Sequence, residues 1–250
     1  MTARFAGLRL GLTTLTVLPL PPGVIDRRTA GRAMASAPAI GFGLGAVIAG
    51  IGWCLLKLGL PSLAAGVLLV VTLALLTRGL HLDGLADTVD GLGAYRDRDR
   101  SLAIMSSPEV GPMGVAAICA VMLLDAAALS SLLDHRRWFA VAVAVGIGRL
   151  AITICCGRGV PAARSTGLGA IVAGTVPVQI SLGWLVILGL LGGFAHRLWW
   201  VGPVALLLSV AAALVLLRHI VTRFGGITGD VLGAECEIAT AIALLTLAVR

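Results

Sequence analysis

Charge is what this chain has least of. Only 12% of its 250 residues are Asp, Glu, Lys or Arg, and 58% are hydrophobic, giving a mean hydropathy of +1.03. An ordinary soluble domain carries roughly 25% charged residues, so a soluble globular fold is excluded and an integral membrane protein is indicated. The five cysteines, Cys54, Cys119, Cys155, Cys156 and Cys236, show no C-x-x-C spacing. That excludes a zinc ribbon or a disulfide framework, and they read as small apolar residues. No run has the charged start, short apolar core and small-residue cleavage site of a signal peptide, because Arg4, Arg9 and the Pro-rich residues 18–23 interrupt the first apolar stretch. The hydrophobic segments are therefore expected to direct insertion themselves. Period-two alternation is absent, which argues against barrel strands, and an open sheet cannot satisfy its backbone in lipid.

What is present is about seven apolar runs, near 36–57, 60–80, 114–133, 138–156, 179–195, 198–217 and 231–249. Crossing a hydrocarbon core takes roughly 20 helical residues, so the sequence predicts an all-α, polytopic membrane helix bundle of about seven spans in a single domain. Residues 1–30 read as an interfacial segment. Three cytoplasmic loops, 81–113, 157–178 and 218–231, are expected to carry the site. Basic residues set the orientation. With the N-terminus cytoplasmic, Arg4, Arg9, Arg27, Arg28, Arg32, Arg78, Arg96, Arg98, Arg100, Arg158, Arg164, Arg218 and Arg223 fall inside. Only Lys57, Arg136, Arg137, Arg197 and Arg250 fall outside. The same asymmetry accounts for most of the formal charge of +7 through lipid, with no call for nucleic acid.

Against this background the stretch HLDGLADTVDG, residues 81–91, is anomalous. Asp83, Asp87 and Asp90 are spaced i, i+4, i+7 and share one helix face, where like charges repel unless a cation occupies the stripe. Close carboxylate oxygens suit Mg²⁺, Mn²⁺ or Ca²⁺, and Mg²⁺ completes its shell with water and phosphate oxygens. The bland alternative is a solvated acidic helix end balanced by neighbouring arginines. Gly84 and Gly91 are expected to leave room for a substrate. Three further polar stretches fall on the same side: SPEVGPMG (107–114), with Glu109 as a ligand or base or else a plain helix-starting turn; RGVPAARSTGLG (158–169), where Arg158 and Arg164 either hold phosphate or mark topology; and FGGITGDVLGAECE (224–237). In the last, Asp230 either caps a helix or joins a site, and Glu237 lies deeper than capping requires. Arg149 and Asp125 are intramembrane charges and hence functional candidates, with Arg149 expected to face the substrate cavity.

Taken in order, HLDGLADTVDG, the I-M-x-x-x-x-x-G-x-x-G run from Ile104, R-G-x-P-x-A-R-x-x-G-L-G from Arg158, and T-G-D-V-L-G-A from Thr228 resemble the cobalamin synthase family, the adenosylcobinamide-GDP ribazoletransferases. The resemblance spans most of the chain. It implies a Mg²⁺-dependent phosphotransferase of the plasma membrane, with its active site facing the cytoplasm. In such an enzyme the ribose hydroxyl of α-ribazole or its 5′-phosphate attacks the cobinamide-linked phosphoryl group of adenosylcobinamide-GDP, and GMP leaves. It places His81, Asp83, Asp87 and Asp90 in the family's metal-binding motif, the aspartates as metal and catalytic residues with one of them serving as general base; Glu237, in another shared stretch, is expected to be a further ligand. His81, Arg149, Arg158, Arg164, Thr228, Gly229 and Asp230 are expected to bind substrate. Partners would be those substrates, membrane lipid, and either a second copy or other enzymes of the same pathway. The sequence departs from the family pattern at Ser107–Pro108 and at Thr240, where relatives often carry acids. Two other readings compete: a CDP-alcohol phosphotransferase-like enzyme, whose D-x-x-D-G half-signature occurs at Asp87 without its downstream half, and a transporter of divalent cations or anionic metabolites.

Overall fold

The computed structural model describes residues 3–21, 23, 25–94 and 97–249. The side chain of Arg4, together with Arg96 and Arg250, all part of the orientation count, lies outside what is described. Among the described residues twelve helices follow one another: α1 (Ala3–Leu15), α2 (Arg27–Ala35), α3 (Ala37–Lys57), α4 (Ser62–Leu76), α5 (Leu80–Gly93), α6 (Arg98–Ile104), α7 (Pro112–Asp134), α8 (Trp138–Cys155), α9 (Gly167–Val172), α10 (Val178–Gly192), α11 (Val201–Phe224) and α12 (Gly229–Leu247). Among the described residues there is no strand, only the isolated bridges Gly157 to Val176 and Ala162 to Ile227. Helices alone satisfy their own backbone in a lipid environment, so this is the architecture the composition demands.

Helices α3, α7, α8 and α11 are each long and apolar enough to cross a membrane, and the bent pair α4–α5 supplies a fifth candidate. The other two expected spans are present as helices but are weaker. Helix α10 has only 15 residues, and α12 carries Asp230, Glu235 and Glu237. The core is built around α8, almost all of which is buried, with α3 and α12 as its principal neighbours. Lipid supplies little hydrophobic drive between helices, so close backbone approach through small residues holds such bundles together. On α3, a Cβ at Gly41 would stand 2.6 Å from the Val145 carbonyl oxygen, and one at Gly45 would stand 2.7 Å from the Ala142 Cα.

All three expected loops turn out to hold helix, 157–178 the short α9. Helix α11 continues to Phe224 rather than ending near 217, leaving only 225–228 as a turn, and 81–113 holds α5 and α6. Between α4 and α5 the axis bends by 90°. Arg78 and Gly79, with φ of 57° and 68°, place two successive residues in the left-handed region. Glycine adopts that conformation freely, whereas arginine pays about 1–2 kcal/mol. The Arg78 guanidinium donates to the Thr13 and Thr14 carbonyls at 3.0 and 3.3 Å, which holds the corner against α1. Helix α5 therefore lies across the end of the bundle instead of continuing through it. The same end gathers Arg27, Arg98, Arg158 and Arg164, while Lys57, Arg136, Arg137 and Arg197 sit at the other.

Candidate active site

Helix α5 carries the aspartate stripe and is held by α12 on one side and α6 and α7 on the other. Gly84 and Gly233 make the α5–α12 contact possible. A Cβ on Gly84 would meet the Asp230 carbonyl oxygen at 2.5 Å, and one on Gly233 would meet the His81 carbonyl oxygen at 2.9 Å. Gly91 is likewise closed off, against the side chain of Met105, the residue that follows α6. These glycines therefore serve helix packing and leave no room for a substrate, contrary to the reading of their sequence. Substituting Gly84 by alanine pushes a methyl into fixed backbone and is expected to cost about 1–3 kcal/mol. A lowered thermal midpoint would show it, with Gly43→Ala, where nothing stands within 4 Å, as the neutral control.

This packing brings Asp230 onto the aspartate stripe. Asp83 is exposed and Asp87 half-buried. Partial burial, then the carboxylates of Asp83, Asp230 and Asp90, push the Asp87 carboxyl up to about 6, against a smaller opposing pull from Arg164. The helix start is organised by Thr228, which caps α12 by accepting from Val231 N–H and donates to Asp230 Oδ2 at 3.1 Å. Thr228 thus takes the capping role that Asp230 could have filled, which frees Asp230 for the cluster. Arg164 is aligned because its loop pairs with the turn before α12: Ala163 N–H donates to the Ile227 carbonyl and Ile227 N–H to the Pro161 carbonyl, both at 2.9 Å. Its guanidinium also donates to the Leu102 carbonyl of α6.

Asp90 is differently employed. Its two oxygens accept the backbone N–H groups of Gly111 and Gly114 at 2.7 and 2.8 Å. The first N–H groups of a helix have no internal partner, so a carboxylate there satisfies α7 and complements its dipole. A cavity of about 270 Å³ opens beside the cluster, with Arg164, Thr228, Gly229, Asp230 and His81 on its wall and Leu15, Met34, Ile152 and Leu232 beneath. Glu109 is exposed in a separate, more open cleft that Asp90 also lines. Arg158 is exposed and does not line the cavity.

Glu237 and Arg149 do not join the aspartates. Glu237 lies on the same face of α12 as Asp230 but about 10 Å farther along the axis, at 1.5 Å per residue. There it meets a buried group: Arg149 is 0%, Asp125 4%, Glu237 8% and His81 2% exposed. Arg149 lies within electrostatic reach of Asp125, Glu237 and His81 and does not line this cavity, where it was expected. Ligand atoms of His81, Cys236 and Glu237 lie within 4.8 Å of one another, a spacing a metal could use. The guanidinium beside all three already supplies the cation and opposes a divalent one. His81 alone bridges the two regions, bordering both the cavity and this inner group.

Sequence reasoning missed the structural work of several arginines. Arg98 donates to the Phe224 and Ala163 carbonyls at 2.7 and 2.9 Å, and Arg27 to the Ala173 carbonyl at 2.7 Å. Both use carbonyls left unpaired at chain turns, a need visible only once the turns are in place.

The family model described as cobalamin-5-phosphate synthase matches residues 7–248. Curated relatives named adenosylcobinamide-GDP ribazoletransferase include that of Nocardioides sp., 44% identical over 97% of this chain and 98% of its own length. That of Frankia casuarinae is 44% identical over 96% and 93%, and that of Corynebacterium diphtheriae 36% identical over 95% and 89%. No solved structure matches the chain. With the match running through every helix that builds the aspartate cluster and its cavity, the chain belongs to the cobalamin-5-phosphate synthase family.

Proposed function

We propose that this chain carries out the reaction that names its relatives: α-ribazole or its 5′-phosphate takes the cobinamide phosphate from adenosylcobinamide-GDP, and GMP leaves. The observation that carries the reading is the convergence of Asp83 and Asp87 with Asp230 and Arg164, the last two of which line the cavity. Phosphoryl transfer depends chiefly on positioning and on neutralising charge at the phosphate oxygens. The donor set suits a hard cation: carboxylate oxygens on a site where partial burial and neighbouring carboxylates make Asp87 resist ionising, with the Arg164 guanidinium in reach. Asp83, Asp87 and Asp230 would hold Mg²⁺, which when bound draws negative charge off the diphosphate. Arg164 would meet phosphate oxygens. Asp90, with both oxygens already accepting N–H groups, is a fixed anchor between α5 and α7 and is poorly placed to serve as the base. The aliphatic floor of the cavity suits a flat aromatic base such as that of α-ribazole. The basic end of the bundle faces the cytoplasm by the positive-inside rule, in a plasma membrane.

The test follows GMP release by purified protein in nanodiscs, given adenosylcobinamide-GDP and either acceptor. Release in Mg²⁺ that EDTA abolishes and Mg²⁺ restores is expected. Release indifferent to EDTA would remove the metal from this reading, and none from folded protein with either acceptor would remove the reaction.

A further inference from the structure

A second concavity lies at the end of the bundle opposite the candidate site. It has a volume of about 330 Å³ and is lined by Trp53, Leu56 and Lys57 of α3, Arg136 of the α7–α8 turn, and Trp138 of α8. Lys57 is the only lysine of the chain. Its Nζ lies 5.8 Å from the centre of the Trp53 ring. Among the described residues neither cation has an acidic partner, neither indole N–H has an acceptor, and no carboxylate lines the space. The concavity thus presents two cations and two neutral donors with no carboxylate on its wall, the exposed Asp134 at the end of α7 lying outside it. Arg136 is held there at a conformational cost: its φ of 55° places a non-glycine residue in the left-handed region, in the turn that closes α7. Trp199 and Trp200 are exposed in the turn before α11, at the same end. Indoles and long cations gather where hydrocarbon meets water, the depth at which lipid phosphates lie.

We propose that this concavity binds the headgroup phosphate of an anionic glycerophospholipid from the adjoining leaflet. Lys57 and Arg136 meet the phosphate oxygens, and the Trp53 and Trp138 indoles donate to the phosphate or glycerol oxygens. A zwitterionic lipid fits less well, since its ammonium finds no acid in the concavity. The site touches neither the aspartate cluster nor its cavity, so it stands or falls apart from the proposed reaction.

The test is native mass spectrometry of the full chain released from nanodiscs of mixed phosphatidylglycerol and phosphatidylcholine. The wild type is expected to retain a phosphatidylglycerol under conditions that strip phosphatidylcholine. Each cation near an anionic lipid contributes roughly a fivefold factor, so Lys57→Gln with Arg136→Gln should retain about 30-fold less. Arg136→Gly is the second variant. It removes one cation and relieves the left-handed strain, so its lipid-free thermal midpoint should equal or exceed the wild type's while retention falls about fivefold. Equal retention by the wild type and both variants, equal retention of the two lipids, or full displacement of the lipid by millimolar inorganic phosphate would each overturn the proposal. GMP release per folded molecule should be the same in all three proteins.

Discussion

Replacing Asp87 with asparagine is expected to lower the rate of GMP release about 100- to 1000-fold, the usual loss when a preorganised electrostatic contact to the reacting group is removed. The shape of the side chain is kept, and the neighbours lose a repelling charge. Stability should therefore hold or rise in the metal-free protein while activity collapses, a combination that misfolding cannot produce. The pH dependence of stability offers an independent check. The Asp87 carboxyl is raised from an ordinary 3.8 to about 6 in the folded chain. A group raised on folding contributes stability in full below its unfolded value and loses that contribution as the pH rises through its folded value. In EDTA, the midpoint of the wild type relative to Asp87→Asn should accordingly fall between pH 3.8 and about 6. Saturating Mg²⁺ should flatten that difference, because the cation replaces the proton as the partner of the carboxylate. A difference that ignores Mg²⁺ would leave the cluster as a plain acidic helix end.

The membrane class, most helix boundaries and the aspartate stripe were legible because each is written in local pattern: apolar runs of helical length, and acids at i, i+4, i+7. What local pattern does not carry is which helix faces which. The bend at Arg78–Gly79 ends the expected span at α4 and starts α5 where a loop was expected, since an arginine in the left-handed region gives no signal in composition. Gly84 and Gly91 resembled openings for substrate, yet they are where α12 and α6 press closest. Asp90 resembled its two companions until the N-terminus of α7 arrived to claim it. A signal for that was present: Gly111 and Pro112 begin a helix whose first N–H groups need an acceptor. Glu237 was grouped with Asp230 by face alone, and its greater depth along α12 separates them.

That depth makes the inner group the place where a single substitution should unfold the bundle. Arg149 is fully buried among Asp125, Glu237 and His81, and its three guanidinium nitrogens have no hydrogen-bond partner. A space of about 20 Å³, bordered by both Asp125 and Glu237, is close to the volume one water needs to bridge polar groups. Removing one member of a buried charge group costs about 3–5 kcal/mol, because the others stay desolvated without compensation. Arg149→Met keeps most of the volume and removes the only cation, so it should lower the thermal midpoint sharply. Combining it with Asp125→Asn and Glu237→Gln removes the charges together, and replacing a whole buried ionic group is often neutral or stabilising. The triple variant should therefore be more stable than the single one. If methionine is harmful only through its shape, the triple variant will be no better than the single, and the charges will have been independent of one another. If recovery occurs, Arg149 is the counter-ion that lets α7 and α12 carry acids through an apolar interior, and the position of His81 at the cavity wall depends on it.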